Sequence, residues 1–208
     1  MPSITTDQWL EAAAYRRTVH SLAGTSSVSD ERVKEIVSNV LSFAPSSYNT
    51  QPVRISLALG DKHKQLWDVI LQTAEPVLTA INPEIWKRLG PFLQSHREAY
   101  GSILFWERTT TTAEAATTHK ATAHMFSEWG DHAQGIHQIL IWTALELEGV
   151  GANLQHMNGI PPVEVAIRKF AGVPEDYKLK AHLNYGDEKG VHPEKPGKLP
   201  IEETLTVL

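Results

Sequence analysis

Between Tyr15 and His20 the chain reads YRRTVH, which sets two guanidinium groups, a hydroxyl and an imidazole close together. Arginine forks grip phosphate oxygens in bidentate fashion, and Thr18 and His20 add further donors. Arg16, Arg17, Thr18 and His20 can therefore surround a phosphate or an electron-rich ring edge. A plainer role competes, because positive charge at a helix end favours the C-terminal dipole and points into water. A second polar stretch, PSSYNTQP, holds Pro45, Ser46, Ser47, Asn49 and Gln51. Proline, serine and asparagine at a helix end ordinarily make a turn. Asn49 and Gln51 also each bring a donor and an acceptor, which suits a heterocycle with alternating carbonyl and N–H groups.

Other chemistries find less support. Ser46 and Ser47 lack the G-x-S-x-G context of a nucleophile elbow, so a serine hydrolase is disfavoured. GVGAN, at residues 149–153, follows a helix and not a strand, which fails the context test for a dinucleotide-binding loop. His119 and His124, like His132 and His137, are five apart, whereas metal pairs on a helix need spacings of three or four, so no metal site is expected. The chain has no cysteine, which removes disulfide and thiolate chemistry and fits a reducing compartment. A formal net charge of −5 gives no long-range attraction for nucleic acid or an anionic membrane, so any anion must be held by a local cluster.

These groups need a scaffold. At 208 residues and 41% hydrophobic, the chain is expected to form one domain over residues 1–208. No stretch reaches the ~20 apolar residues of a membrane span and the N-terminus lacks a signal-peptide core, so a cytoplasmic protein is expected, with the nucleus as a second compartment. Helices are predicted over Thr6 to Tyr15, after a Ser29 cap through Phe43, over Lys62 to Gln72, and over Pro162 to Ala171. A long helix from about Met125 to Glu148, apolar nearly all round and ended by Gly149, should be buried nearly all round. Strands are predicted over Val53 to Leu59, Gly101 to Glu107 and Leu179 to Gly186. Residues 75–100, with three prolines, read as short helices and loops, and the Thr-rich 109–122 stretch as a surface loop or weak helix. The tail, about 187–208, is polar until a β-prone apolar finish, and such an end usually docks on something, with a neighbouring subunit as the candidate.

Taken in order, RRTVH, PSSYNTQP, the long helix ending ALELEGVGANLQ, and KPGKLP near the C-terminus resemble the FMN-dependent nitroreductase family. The match lies in particular with its fungal, stress-linked branch. The resemblance covers residues 12–208. It implies an α+β, three-layer fold in which a mixed, mainly antiparallel sheet is flanked by helices. It also implies a homodimer in which the C-terminal segment adds a strand to the partner's sheet, with FMN held between both chains. By position, Arg16, Arg17, Thr18 and His20 match the motif that contacts the flavin phosphate, ribityl chain and pyrimidine edge, although lysine or arginine is common where His20 stands. Pro45, Ser46, Ser47, Asn49 and Gln51 match the loop that reaches the flavin from the other subunit. Leu154, Gln155 and His156 match the segment beside the isoalloxazine, where this chain departs from a frequent Pro-x-Glu-Gly pattern. Lys195 and Lys198 match the basic tail residues that neutralise the phosphate. The activity implied is ping-pong hydride transfer from NAD(P)H, through flavin N5 and without a protein acid or base, to nitroaromatics or quinones. A second class of protein fits the same residues, a flavin-binding redox- or lipid-signalling regulator with little turnover.

Overall fold

The computed structural model describes residues 4–208. Four strands form one antiparallel sheet in the order β1(Val53–Leu59), β2(Gly101–Arg108), β4(Tyr177–Gly186), β3(Gly151–Gln155). Alternation along the strands divides the core into two layers. Ile55, Leu57, Ile103, Phe105, Leu183 and Tyr185 face α2(Asp30–Phe43) and α6(Phe126–Leu147). Ala58, Leu104, Trp106 and Leu179 face α3(Asp61–Ile81), α4(Pro83–His96) and α7(Pro161–Ala171). Helices thus cover both faces of the sheet, the three-layer α+β arrangement expected. Between Phe105 and Trp106 the β2–β4 register slips by one residue, leaving Lys180 unpaired in the ladder. Its ammonium group instead meets Glu107 at 2.8 Å and Asp131 at 2.6 Å.

Local signals account for most element ends. Thr5 and Gln8 cap α1(Thr6–Tyr15) reciprocally, and Ser29 Oγ accepts the Arg32 N–H at the start of α2. Gly149 ends α6 at φ 99°, a left-handed conformation that glycine adopts without penalty.

Three expectations need correction. The helix predicted to stop near Gln72 runs on to Ile81 with Pro76 inside it, and α4 carries Pro91. Burial of Ala74, Leu78 and Leu93 on one face outweighs the lost N–H bonds, and Asn82 separates the two helices by capping Glu84. Of the two forms expected for the Thr-rich stretch the structure has the helix, α5(Thr109–Thr118), anchored where Thr112 donates to the buried Glu107 carboxylate at 2.9 Å. Residues 151–155 form a fourth strand, where no strand was predicted. α6 is not buried all round, since Ile139 is 44% and Leu147 61% exposed. The tail carries one helical turn, α8(Ile201–Thr204), with residues 205–208 beyond it outside any element, and among the described residues it pairs with no strand of its own chain.

Candidate functional site: a basic cleft at the sheet edge

The tail returns to the N-terminal segment. Backbone bonds from Ala23 to Asp187 and from Lys189 to Ser21 lay the start of the tail against residues 21–25. His192 then donates from Nε2 to the Tyr15 carbonyl at 3.0 Å and stacks on the Tyr15 ring at 4.4 Å. The consequence is a cleft of about 530 Å³ in which Arg16, Arg17 and Thr18 face Lys195 and Lys198 across the chain termini. Glu194 is the one acidic side chain in its wall. Four cations against one anion is a set suited to a phosphate dianion.

The segment that carries the arginines is strapped in place. Arg17 donates its backbone N–H to Glu146 Oε2 at 2.8 Å, and Val19 donates its own to the Ala152 carbonyl at 2.9 Å. Asn153, fully buried on β3, donates to the Val19 carbonyl at 2.8 Å. Asn153 also accepts from Asn184, which accepts from Trp67 and Ser102, so a buried polar chain runs from α3 to this segment. Gly151 permits the close approach: a Cβ there would stand 2.7 Å from Glu188 Cγ and 3.0 Å from Val19.

The two arginines differ. The Arg16 guanidinium lies 4.3 Å above the Trp142 ring, a cation–π contact. Arg17 folds its Nη1 back onto the Ala14 and Arg16 carbonyls at the end of α1, so the helix-end role applies to that part of its side chain. Its Nε is buried without a partner. A buried donor left free beside a cationic cleft is the feature an anion would complete, and the residues present fit the phosphate of a flavin nucleotide.

Other predicted residues lie elsewhere. His20 leaves the cleft and sets its ring edge-on to Phe92 of α4 at 5.3 Å. Leu154 and Gln155 continue the same edge strand, with Gln155 donating to Asn153 Oδ1 at 2.9 Å, and His156 is exposed just beyond it. The loop of Pro45, Ser46, Ser47, Asn49 and Gln51 stands apart: Ser46 and Gln51 line a second cleft of about 530 Å³ with Arg54 and Tyr177. This loop is strained, because Tyr48 and Gln51 hold φ near +52°, a region that costs such residues about 1–2 kcal/mol each, while Asn49 between them adopts it more readily. Ser46 Oγ accepts the Gln51 N–H at 2.8 Å, which closes the turn, and the Tyr48 ring stacks on His119 at 4.1 Å.

Comparison with known proteins decides the relationship. The Nitroreductase family model matches residues 13–187. The chain belongs to the nitroreductase family. The nitroreductase FRM2 of Saccharomyces cerevisiae is 31% identical over 202 residues, 96% of this chain and 94% of the yeast protein. The nitroreductase CinD of Lactococcus lactis, solved in complex with nicotinic acid, superposes with a TM-score of 0.84 at 28% identity, covering 96% of this chain and 99% of that one. A crystal structure of a nitroreductase from Saccharomyces cerevisiae gives a TM-score of 0.72 at 32% identity over 88% and 97% of the two chains. The fold is accordingly nitroreductase-like and the protein an oxidoreductase of that family, typically flavin-dependent, with yeast relatives placing it in a fungal branch.

Sequence reasoning missed Glu146 and Trp142. Their signal was present: Glu146 occupies a core phase of α6, one turn after Trp142, and a charge on a buried face needs a reason. Its carboxyl is pushed up to about 7 by burial, against the opposing pull of the Arg17 N–H, the Trp142 indole, His192 and Arg16. Among the described residues, no cluster of acidic and histidine side chains could hold a metal ion, and no helix is long and apolar enough to cross a membrane.

Proposed function

We propose that this chain is an FMN-dependent NAD(P)H oxidoreductase that reduces nitroaromatics and quinones and works as a homodimer. The observation that carries the reading is the cleft in which Arg16, Arg17, Thr18, Lys195 and Lys198 converge from opposite ends of the chain. Bound there by its phosphate, FMN would supply two-electron chemistry between a nicotinamide and an organic acceptor. The chain's own residues bind and orient: the cationic side chains neutralise the phosphate, and Asn153, Glu146 and Ala152 hold the segment that bears them. Loop 45–51, strained and turned outward, is the element suited to reach a cofactor on another subunit.

Two further observations support the reading. Trp9, Phe43, Ile139 and Leu147 flank an apolar groove of about 420 Å³, and Ile201, Leu205, Val207 and Leu208 of the tail are exposed in the single chain. Surfaces of that kind ordinarily mark association, and a second copy would cover both. CinD, similar over nearly its whole length, has been solved with 4-nitrophenol and with chloramphenicol. Reducing a nitro group to nitroso consumes two electrons and two protons and releases water; NAD(P)H supplies the hydride and solvent the second proton.

The test is spectroscopic. Full-length protein should show a flavin spectrum that NADH or NADPH bleaches under nitrogen and a nitroaromatic restores. Bleaching that no acceptor reverses would favour the regulator, and failure to bind flavin would end both readings.

A further inference from the structure

Glu146 has no evident structural reason to be charged. It is 4% exposed. Oε2 accepts the Arg17 N–H and Oε1 the Trp142 indole N–H, each at 2.8 Å, and among the described residues it joins no ion pair. Around it stand Arg16, stacked on the Trp142 ring; the Arg17 guanidinium, turned toward the end of α1; and His192, which Glu188 holds at 2.8 Å. A carboxylate taken out of water to bond two neutral donors is an expensive way to fill a helix face, and an apolar side chain would cost less for packing alone.

Its position accounts for the expense. Glu146 touches both arginines indirectly: Arg17 through the backbone, and Arg16 through the indole on which its guanidinium rests. Together with the Val19–Ala152 bond, this fixes the backbone on either side of Thr18.

We propose that Glu146 is the positioning residue of the basic cleft, pre-setting Arg16, Arg17 and Thr18 for the phosphate of FMN. The inference rests on the flavin reading above. It assigns Glu146 no contact with the cofactor: the carboxylate acts by holding donors already ordered before the anion arrives, which removes the entropy cost of ordering them on binding. Because the effect runs through the phosphate site, it should act on FMN and spare riboflavin, which has the same ring and no phosphate.

Apo-protein of the full chain, titrated with FMN and with riboflavin by flavin fluorescence, tests this for the wild type, Glu146→Ala and Glu146→Gln. The wild type should bind FMN more tightly than riboflavin. Glu146→Ala, which leaves two buried N–H groups without acceptors, should weaken FMN about tenfold or more while leaving riboflavin within about twofold. Glu146→Gln keeps the shape and one acceptor and should fall between, and it carries the test alone should the alanine variant not fold. A variant that keeps the wild-type preference for FMN, or loses both flavins equally, overturns the role of Glu146 and leaves the cleft standing. A wild type without preference for FMN overturns the phosphate cleft itself, and Glu146 with it.

Discussion

Val19 and Ala152, distant in sequence, are joined by a 2.9 Å bond from the Val19 N–H to the Ala152 carbonyl, which lays the arginine segment along the free edge of β3. That one pairing brings YRRTVH and GANLQH side by side. The tail, tied back through His192, supplies the remaining positive charge.

Arg16→Ala removes a charged donor from the cleft and the cation from above Trp142. A charge-assisted bond contributes about 1.5–3 kcal/mol, so the FMN Kd should rise roughly ten- to hundredfold. Equilibrium dialysis measures it, and an unchanged Kd would remove Arg16 from the site.

Deleting residues 200–208 removes the exposed Ile201, Leu205, Val207 and Leu208 while leaving Lys195 and Lys198. Light scattering after size exclusion should find monomers or insoluble protein. A dimer of wild-type thermal stability would show that the tail has no part in association.

Acid should destabilise the fold before its carboxylates titrate, Glu146 excepted. His63, His96 and His182 are buried on the α3 side of the sheet, and burial lowers them to about 4, 4 and 3, helped by nearby Arg97 and Lys64 for His63 and by neighbouring imidazoles for His96 and His182. All three are neutral in the native state, whereas in the unfolded chain they take up protons near pH 6.5. Between those values the unfolded state binds more protons, so stability is full above about pH 6.5 and falls as pH drops toward about 4. Urea midpoints at pH 7.5, 6 and 5 should decline in that order. His182→Leu, at a position whose ring nitrogens have no partner, should flatten the decline.

Lys180→Met leaves the Glu107 carboxylate buried beside Thr112 without its cation. Removing one partner of a buried pair costs about 3–5 kcal/mol. Chemical denaturation should show a loss of that order, and the Lys180→Met, Glu107→Gln double variant should recover most of it.

Much of the scaffold could be read from periodicity and caps, because α2, α6, β1, β2 and β4 carry their own instructions. Ser29 caps where expected, and VRISLAL alternates as a half-buried strand does. The rest depends on contacts remote in sequence. GANLQ has little β propensity and becomes a strand because β4 pairs with it. Helix α3 passes Pro76 because the face formed by Ala74 and Leu78 has a sheet to cover. Residue types exposed the arginines of the candidate site and the polar loop that stands apart from it, whereas the tail lysines came only from the family resemblance. The separation of His20 toward Phe92 and the strap from Glu146 depend on packing that local sequence does not encode.

The most direct measurement is the absorbance of the purified full-length chain mixed with FMN and passed through a desalting column, recorded before and after anaerobic NADPH. Tightly held flavin, near one per chain, whose bands vanish with the nicotinamide and return with a nitroaromatic, is the predicted result. Colourless protein eluting ahead of all the added FMN would contradict it.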